Sequence, residues 1–116
     1  MSARPKLLIV EDDENSAEML KAFAQNEGFA ASVANSLADA RQQLILHRPQ
    51  VVLLDLHLPD GSGMDLFADA SLRGDAEVVL ITGKASVETS VEALRLGAAD
   101  YLIKPVSLKL LRNVLH

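Results

Sequence analysis

A doubly wound α/β fold built on a five-stranded parallel sheet is the class this sequence predicts, on three observations. Short aliphatic runs alternate strictly with longer stretches of helical spacing, five of each. Two of the runs, VVLL (51–54) and EVVLIT (77–82), are nearly all aliphatic, as central strands covered on both faces should be. Strict alternation also leaves a helix between successive strands, and parallel pairing needs such a crossover.

KLLIV (6–10) reads as the first strand. The helix after it has Met19, Leu20, Phe23 and Ala24 on one side, a capping-box-like start at Asn15 and Glu18, and a stop at Gly28. AASVA (30–34) is the second strand. Ser36 and Asp39 open the second helix, Leu37, Ala40 and Leu44 line its apolar side, and Pro49 lies beyond its end. After VVLL, a shorter third helix is predicted from Met64 to about Leu72, stopped by Gly74. EVVLIT is the fourth strand. The fourth helix starts near Ser86, carries Val87, Val91 and Leu94 at helical spacing, and ends at Gly97. DYLI (100–103) is the fifth strand, and the fifth helix follows Ser107 with Leu108, Leu111 and Leu115 on one side. Five such units predict the flavodoxin-like strand order 2-1-3-4-5 with five helices.

A chain of 116 residues is one domain. It has no cysteine, which excludes disulfides, thiolate catalysis and cysteine-ligated zinc. Its net charge of −5 speaks against gripping nucleic acid, and one tyrosine with no tryptophan offers no stacking platform for single strands. No apolar run approaches the ~20 residues that cross a bilayer. MSARPKLLIVEDD is no secretory signal, and a cytoplasmic location is expected. The chain stops at LLRNVLH with no stop signal, so residues 1–116 are expected to be the N-terminal domain of something longer.

In a doubly wound sheet, ligands sit beyond the carboxyl ends of the strands. Glu11, Asp12 and Asp13 follow the first strand, Asp55 the third; Thr82 ends the fourth, and Lys104 and Pro105 follow the fifth. Parallel pairing brings these ends side by side. Clustered carboxylates repel unless a cation intervenes, and acids from two strand ends suit Mg²⁺. A metal, a lysine, a hydroxyl and an aspartate able to carry a covalent phosphoryl group are the parts of a phosphoryl-transfer site. Asp55 is the best nucleophile. The metal pair is either Glu11 with Asp12 or Asp12 with Asp13.

LIVEDDENS, VVLLDLHLPDGSG, VVLITG and ADYLIKP, in that order and over essentially the whole chain, resemble the receiver (CheY-like) domain of two-component response regulators. TGKASVETSVEALRLGAADYLIKP looks most like receivers of the nitrogen-regulation type of transcriptional activator. The resemblance implies that Asp55 is the phosphoacceptor, Glu11 and Asp12 the acidic pair, and the His57 backbone carbonyl a further Mg²⁺ ligand. It implies Thr82 as the switch hydroxyl, Tyr101 as the switch aromatic and Lys104 as the phosphate-binding lysine. His57 and Lys84 stand where phosphoryl lifetime is tuned, and Lys104–Pro105 is a candidate cis peptide. The implied partners are a sensor histidine kinase, an output domain in the same chain, and a second copy docked through the fourth helix, fifth strand and fifth helix. Ala93, Leu96, Ala98 and Ala99 are the residues expected on that dimer surface.

Three rivals fit less well. A haloacid-dehalogenase-type phosphatase wants a second aspartate two residues after its nucleophile, where this chain has His57, and a nucleophile on the first strand. A cobalamin domain needs D-x-H-x-x-G, and Asp60 stands where that glycine belongs. A receiver-like module working without phosphorylation is expected to lose Asp55 or Lys104, and both are present.

Overall fold

The structure, a computed structural model, describes residues 3–116; the first two residues of the N-terminal stretch judged above not to be a signal lie outside it. Five strands, β1 (Lys6–Val10), β2 (Ala30–Ala34), β3 (Val51–Asp55), β6 (Glu77–Thr82) and β7 (Asp100–Ile103), form one sheet in the order β2-β1-β3-β6-β7. Every pairing in it is parallel. This is the predicted topology, and it follows from the alternation: each strand is followed by a crossover before the next.

Side chains alternate across a strand, so each strand feeds two cores. Leu8, Val10, Leu54 and Leu80 face α2 (Leu37–His47), α3 (Gly63–Ala68) and α5 (Val87–Leu96). Leu7, Ile9, Leu53, Val79 and Ile81 face α1 (Glu14–Asn26) and α6 (Leu108–Leu115). Residues of β1, β3 and β6 therefore lie in both cores, which is why these strands carry so few polar groups.

Several elements differ from the reading above. The cap of the first helix lies two residues before Asn15: Asp13 is its N-cap, and its carboxylate accepts from the Ser16 amide at 2.9 Å. Met19 is 44% exposed, and Ala17 joins Leu20, Phe23 and Ala24 on the buried side. The third helix is two pieces, α3 and α4 (Ala70–Arg73), so the described residues form six helices where five were expected. Asp69 causes the break. It adopts an extended backbone (φ −83°, ψ 94°) and turns its carboxylate onto the Ser71 and Leu72 amides, capping a new helix instead of continuing the old one. A two-stranded hairpin, β4 (His57–Leu58) and β5 (Gly61–Ser62), which sequence periodicity is too short to reveal, occupies the loop after β3.

The α5 helix turns the apolar stripe seen in its sequence to solvent. Val87, Val91 and Leu94 are 79%, 49% and 78% exposed, while Ala93 is buried and Leu96 and Ala98 pack against the core. The small side chain of Ala93 lets the helix lie close to the sheet, so the bulkier stripe is left outside. Three of the four positions expected on a dimer surface are thus core-facing or core-packed, and only Ala99 among them is exposed.

Candidate functional site

The sheet register assembles the site. Val10 pairs with Leu54, so Glu11 follows β1 directly beside Asp55 at the end of β3. Asp55 pairs with Ile81, and Thr82 is the next residue of β6. Thr82 pairs with Ile103, which brings Lys104 to the same edge, its amide donating to the Thr82 carbonyl at 2.8 Å. Glu11, Asp55 and Thr82 are buried polar residues in a shell otherwise made of aliphatic side chains.

Lys104 joins the two buried acids. Its ammonium donates to Glu11 Oε1 at 2.7 Å and to Asp55 Oδ2 at 2.8 Å. Buried carboxylates need such pairing, because an isolated charge in low dielectric is costly. Burial pushes the Glu11 carboxyl up to about 7, against the lowering effect of Lys104 and with the help of neighbouring Asp55. Burial works to lower the Lys104 ammonium, but its hydrogen bonds to Asp55 and Glu11 leave it raised above the ordinary lysine value.

One carboxylate oxygen from each of Glu11, Asp12 and Asp55 lies within 4.8 Å of the other two. Lys104 takes one oxygen of Glu11 and one of Asp55; the second oxygen of each accepts from a backbone amide, of Asp13 and of His57. An all-oxygen set of this size, with exposed Asp12 open to water, suits a hard divalent cation. Asp13 lies outside this cluster, its carboxylate committed to the Ser16 amide as helix cap. Of the two acidic pairs left open by the sequence, the geometry groups Glu11 with Asp12.

The loop after β3 is packed onto the nucleophile candidate. The His57 amide donates to Asp55 Oδ1 at 2.9 Å, and the His57 side chain is exposed. Gly63 is buried against Asp55 and Leu56; a Cβ there would overlap the Asp55 carbonyl oxygen and stand 3.1 Å from the Leu56 Cα. That explains the glycine. Asp60, noted in the sequence only for standing where a cobalamin domain needs glycine, reaches the N-terminus of α2 and accepts from the Leu37 and Ala38 amides at 2.8 and 3.1 Å. Those hydrogen bonds, led by the one from Leu37, hold its carboxyl below the usual range. Sequence carried no signal for that contact, since the partners lie more than twenty residues upstream.

The Thr82 hydroxyl accepts from the Lys84 amide at 3.0 Å, and the Lys84 side chain is exposed. Tyr101 is half-buried, and its hydroxyl lies 2.6 Å from that of Thr89 on α5. Thr89 was not singled out in the sequence; it sits in the apolar spacing of a helix with no motif around it. The Lys104–Pro105 peptide is cis.

Among the described residues no helix is long and apolar enough to cross a membrane. Residues 7–116 match the family described as the response regulator receiver domain. Transcriptional regulatory protein CitB of Klebsiella pneumoniae is 45% identical over 94% of this chain and 48% of its own length. Transcriptional regulatory protein DpiA of Escherichia coli K12 is 40% identical over 99% and 52%. The chain thus spans about half the length of these curated relatives. A response regulator of Burkholderia pseudomallei, solved with a phosphorylated aspartic acid, calcium ion and citrate, superposes with a TM-score of 0.88 at 30% identity, covering 97% of this chain and 66% of that one. The CheY-like receiver domain of Methanospirillum hungatei JF-1 gives 0.91 at 29% identity, covering 97% and 91%. With the sheet order, the acidic edge and these matches in hand, the chain belongs to the response regulator receiver domain family.

Proposed function

We propose that this domain is a phosphorylation switch: Asp55 accepts a phosphoryl group from a phosphohistidine of a sensor histidine kinase and relays the event to an output domain that regulates transcription. The observation that carries the reading is the buried Asp55 carboxylate, held by Lys104 on one oxygen and by the His57 amide on the other. A nucleophile held at both oxygens is positioned before its substrate arrives. The neighbour with a phosphorylated aspartic acid and the transcriptional regulators among the relatives support the same reading.

Glu11, Asp12, Asp55 and the His57 carbonyl are the groups that would hold Mg²⁺. When bound, Mg²⁺ supplies charge neutralisation and orientation for the phosphoryl oxygens. An Asp55 oxygen attacks phosphorus, the P–N bond breaks, and the donor imidazole nitrogen leaves with the electron pair. Asp55 thereby gives up its carboxylate charge and gains a phosphoryl group of about −2. Lys104 turns from the carboxylate to the new oxygens. The Thr82 hydroxyl accepts from Lys84, so its own proton is free to be donated to the phosphoryl group. As Thr82 moves inward, Tyr101 follows into the vacated space and biases α5, β7 and α6.

Exposed Val87, Val91 and Leu94 on α5, with Ile103, Leu108 and Leu110 beyond, form the surface through which two phosphorylated copies pair. The domain works in the cytoplasm, where histidine kinases present their phosphohistidine.

The test is intact mass after incubation with acetyl phosphate, with and without Mg²⁺, for the native sequence and Asp55→Asn. A single base-labile phosphoryl adduct requiring both Mg²⁺ and Asp55 is the expected result. An adduct on Asp55→Asn moves the nucleophile elsewhere; no adduct under any condition leaves a phosphorylation-independent interaction module.

A further inference from the structure

We infer that Asp60 is a positioning residue for the phosphorylation site, fixing the β4–β5 hairpin so that the His57 backbone meets Asp55; this rests on the reading of Asp55 given above. The hairpin is the segment that carries His57; Leu58 packs against the core, and the loop is fastened further at two places. At one end, Gly63 is pressed against Asp55 and Leu56, and the Gly63 amide donates to the Leu56 carbonyl at 2.9 Å. At the other, Asp60 caps α2 from outside that helix, with both carboxylate oxygens engaged.

That cap is unusual in its division of labour. Ser36, the local N-cap, serves only the Asp39 amide, at 3.1 Å. The Leu37 and Ala38 amides are left for a residue more than twenty positions away. Open amides at a helix N-terminus favour a negative charge, and here the charge is supplied by the tip of a functional loop. Gly61 beside it has φ +146°, and a Cβ there would start 2.9 Å from Leu37 Cδ1, so the tip lies directly on α2.

Between the two anchors lie His57 and Leu58, paired with Ser62 and Gly61. The hairpin has only two residues per strand and no stability of its own, so its position depends on its ends and on Leu58, which packs against the core. Loss of the Asp60 anchor frees the tip, and the His57 amide and carbonyl move with it. Asp60 lies outside the Glu11, Asp12 and Asp55 cluster, and both its oxygens are spent on α2. It acts through His57, and through the same contact ties α2 to the state of the site.

The experiment compares the native sequence with Asp60→Ala and Asp60→Asn, the latter keeping one acceptor oxygen. Amide exchange is followed residue by residue without metal, and Mg²⁺ is then titrated by the amide resonances of residues 11–13 and 57. Asp60→Ala is expected to raise exchange at Leu37, Ala38 and His57 roughly fivefold, as loss of a cap worth about 1 kcal/mol allows, and to weaken Mg²⁺ binding severalfold. Asp60→Asn falls between. Faster exchange confined to Leu37 and Ala38, with His57 and Mg²⁺ affinity as in the native sequence, reduces Asp60 to a helix cap and overturns the inference. Should Asp60→Ala fail to fold, Asp60→Asn decides by the same two readouts. If the native protein itself binds no Mg²⁺, the metal reading fails, and exchange at His57 alone then upholds or overturns the positioning role.

Discussion

Tyr101 and Thr89 are joined hydroxyl to hydroxyl at 2.6 Å, across the gap between β7 and α5. The bond fixes the one tyrosine of the chain to the helix that carries the exposed Val87, Val91 and Leu94 stripe. Any inward turn of Tyr101 must break it. A part-buried hydrogen bond is worth about 1 kcal/mol, enough to shift a two-state balance about fivefold.

Thr89→Val keeps the shape of the side chain and removes the hydroxyl. The expected outcome is a Tyr101 ring that samples its inward position more often before any phosphorylation, seen as shifted, averaged ring resonances. Unchanged Tyr101 resonances in the variant would show that packing, and not the Thr89 hydroxyl, sets the rotamer.

Lys104 is the cation shared by two buried acids, so its removal is expected to be expensive without metal. Breaking a buried pair costs about 3–5 kcal/mol, and the lower end applies because the Lys104 side chain is 31% exposed. Part of the cost is offset by Glu11, which takes up a proton once its partner is gone. Lys104→Met should therefore melt lower than the native protein in EDTA and be stabilised more by added Mg²⁺, which restores a cation to the cluster. Thermal melts with and without Mg²⁺ measure both effects; equal Mg²⁺ gains in the two proteins would contradict the shared-cation account. Phosphoryl transfer to Asp55 should be slowed in the same variant.

Glu11 gives the pH dependence. Its carboxyl is raised from 4.5 to about 7 by burial in the folded, metal-free protein. Between those values the folded state holds a proton that the unfolded state releases, so stability falls as pH rises through that window and levels off above it. Denaturant unfolding in EDTA from pH 4.5 to 8 should show this slope, and Glu11→Gln should lose it. Since Mg²⁺ needs the carboxylate, its apparent affinity rises over the same range, and binding releases protons near pH 6.5. A flat Mg²⁺ affinity from pH 6 to 8 would mean that Glu11 is already ionised.

The sheet was legible in the sequence because each strand is an aliphatic run closed by turn residues, and the site because the same strand ends place Glu11, Asp55, Thr82 and Lys104 at one edge. What stayed hidden depends on which way a side chain turns. Asp69 has the composition of a helix residue and the behaviour of a cap, so one helix became two. Asp60 and Thr89 act through partners brought near only by the fold. In α5 the apolar spacing marked a face without saying whether that face is inside; small Ala93 settled it by permitting close packing.

That orientation of α5 leads to the last expectation. Leu94 is 78% exposed and Val91 49%, and Ile103 and Leu110 are exposed as well, so apolar side chains of α5, β7 and α6 stand in solvent. Leu94→Glu places a charge among them. Surface changes of this kind usually alter stability by less than about 0.5 kcal/mol, so folding and Asp55 labelling should be retained. A buried, unpaired charge at an interface is far more costly, so pairing of phosphorylated copies should be lost. Light scattering after acetyl phosphate and Mg²⁺ treatment distinguishes the outcomes. A Leu94→Glu protein that labels normally and still dimerises places the interface on another face, whereas one that labels and stays monomeric assigns it to the exposed stripe that the inward turn of Ala93 creates.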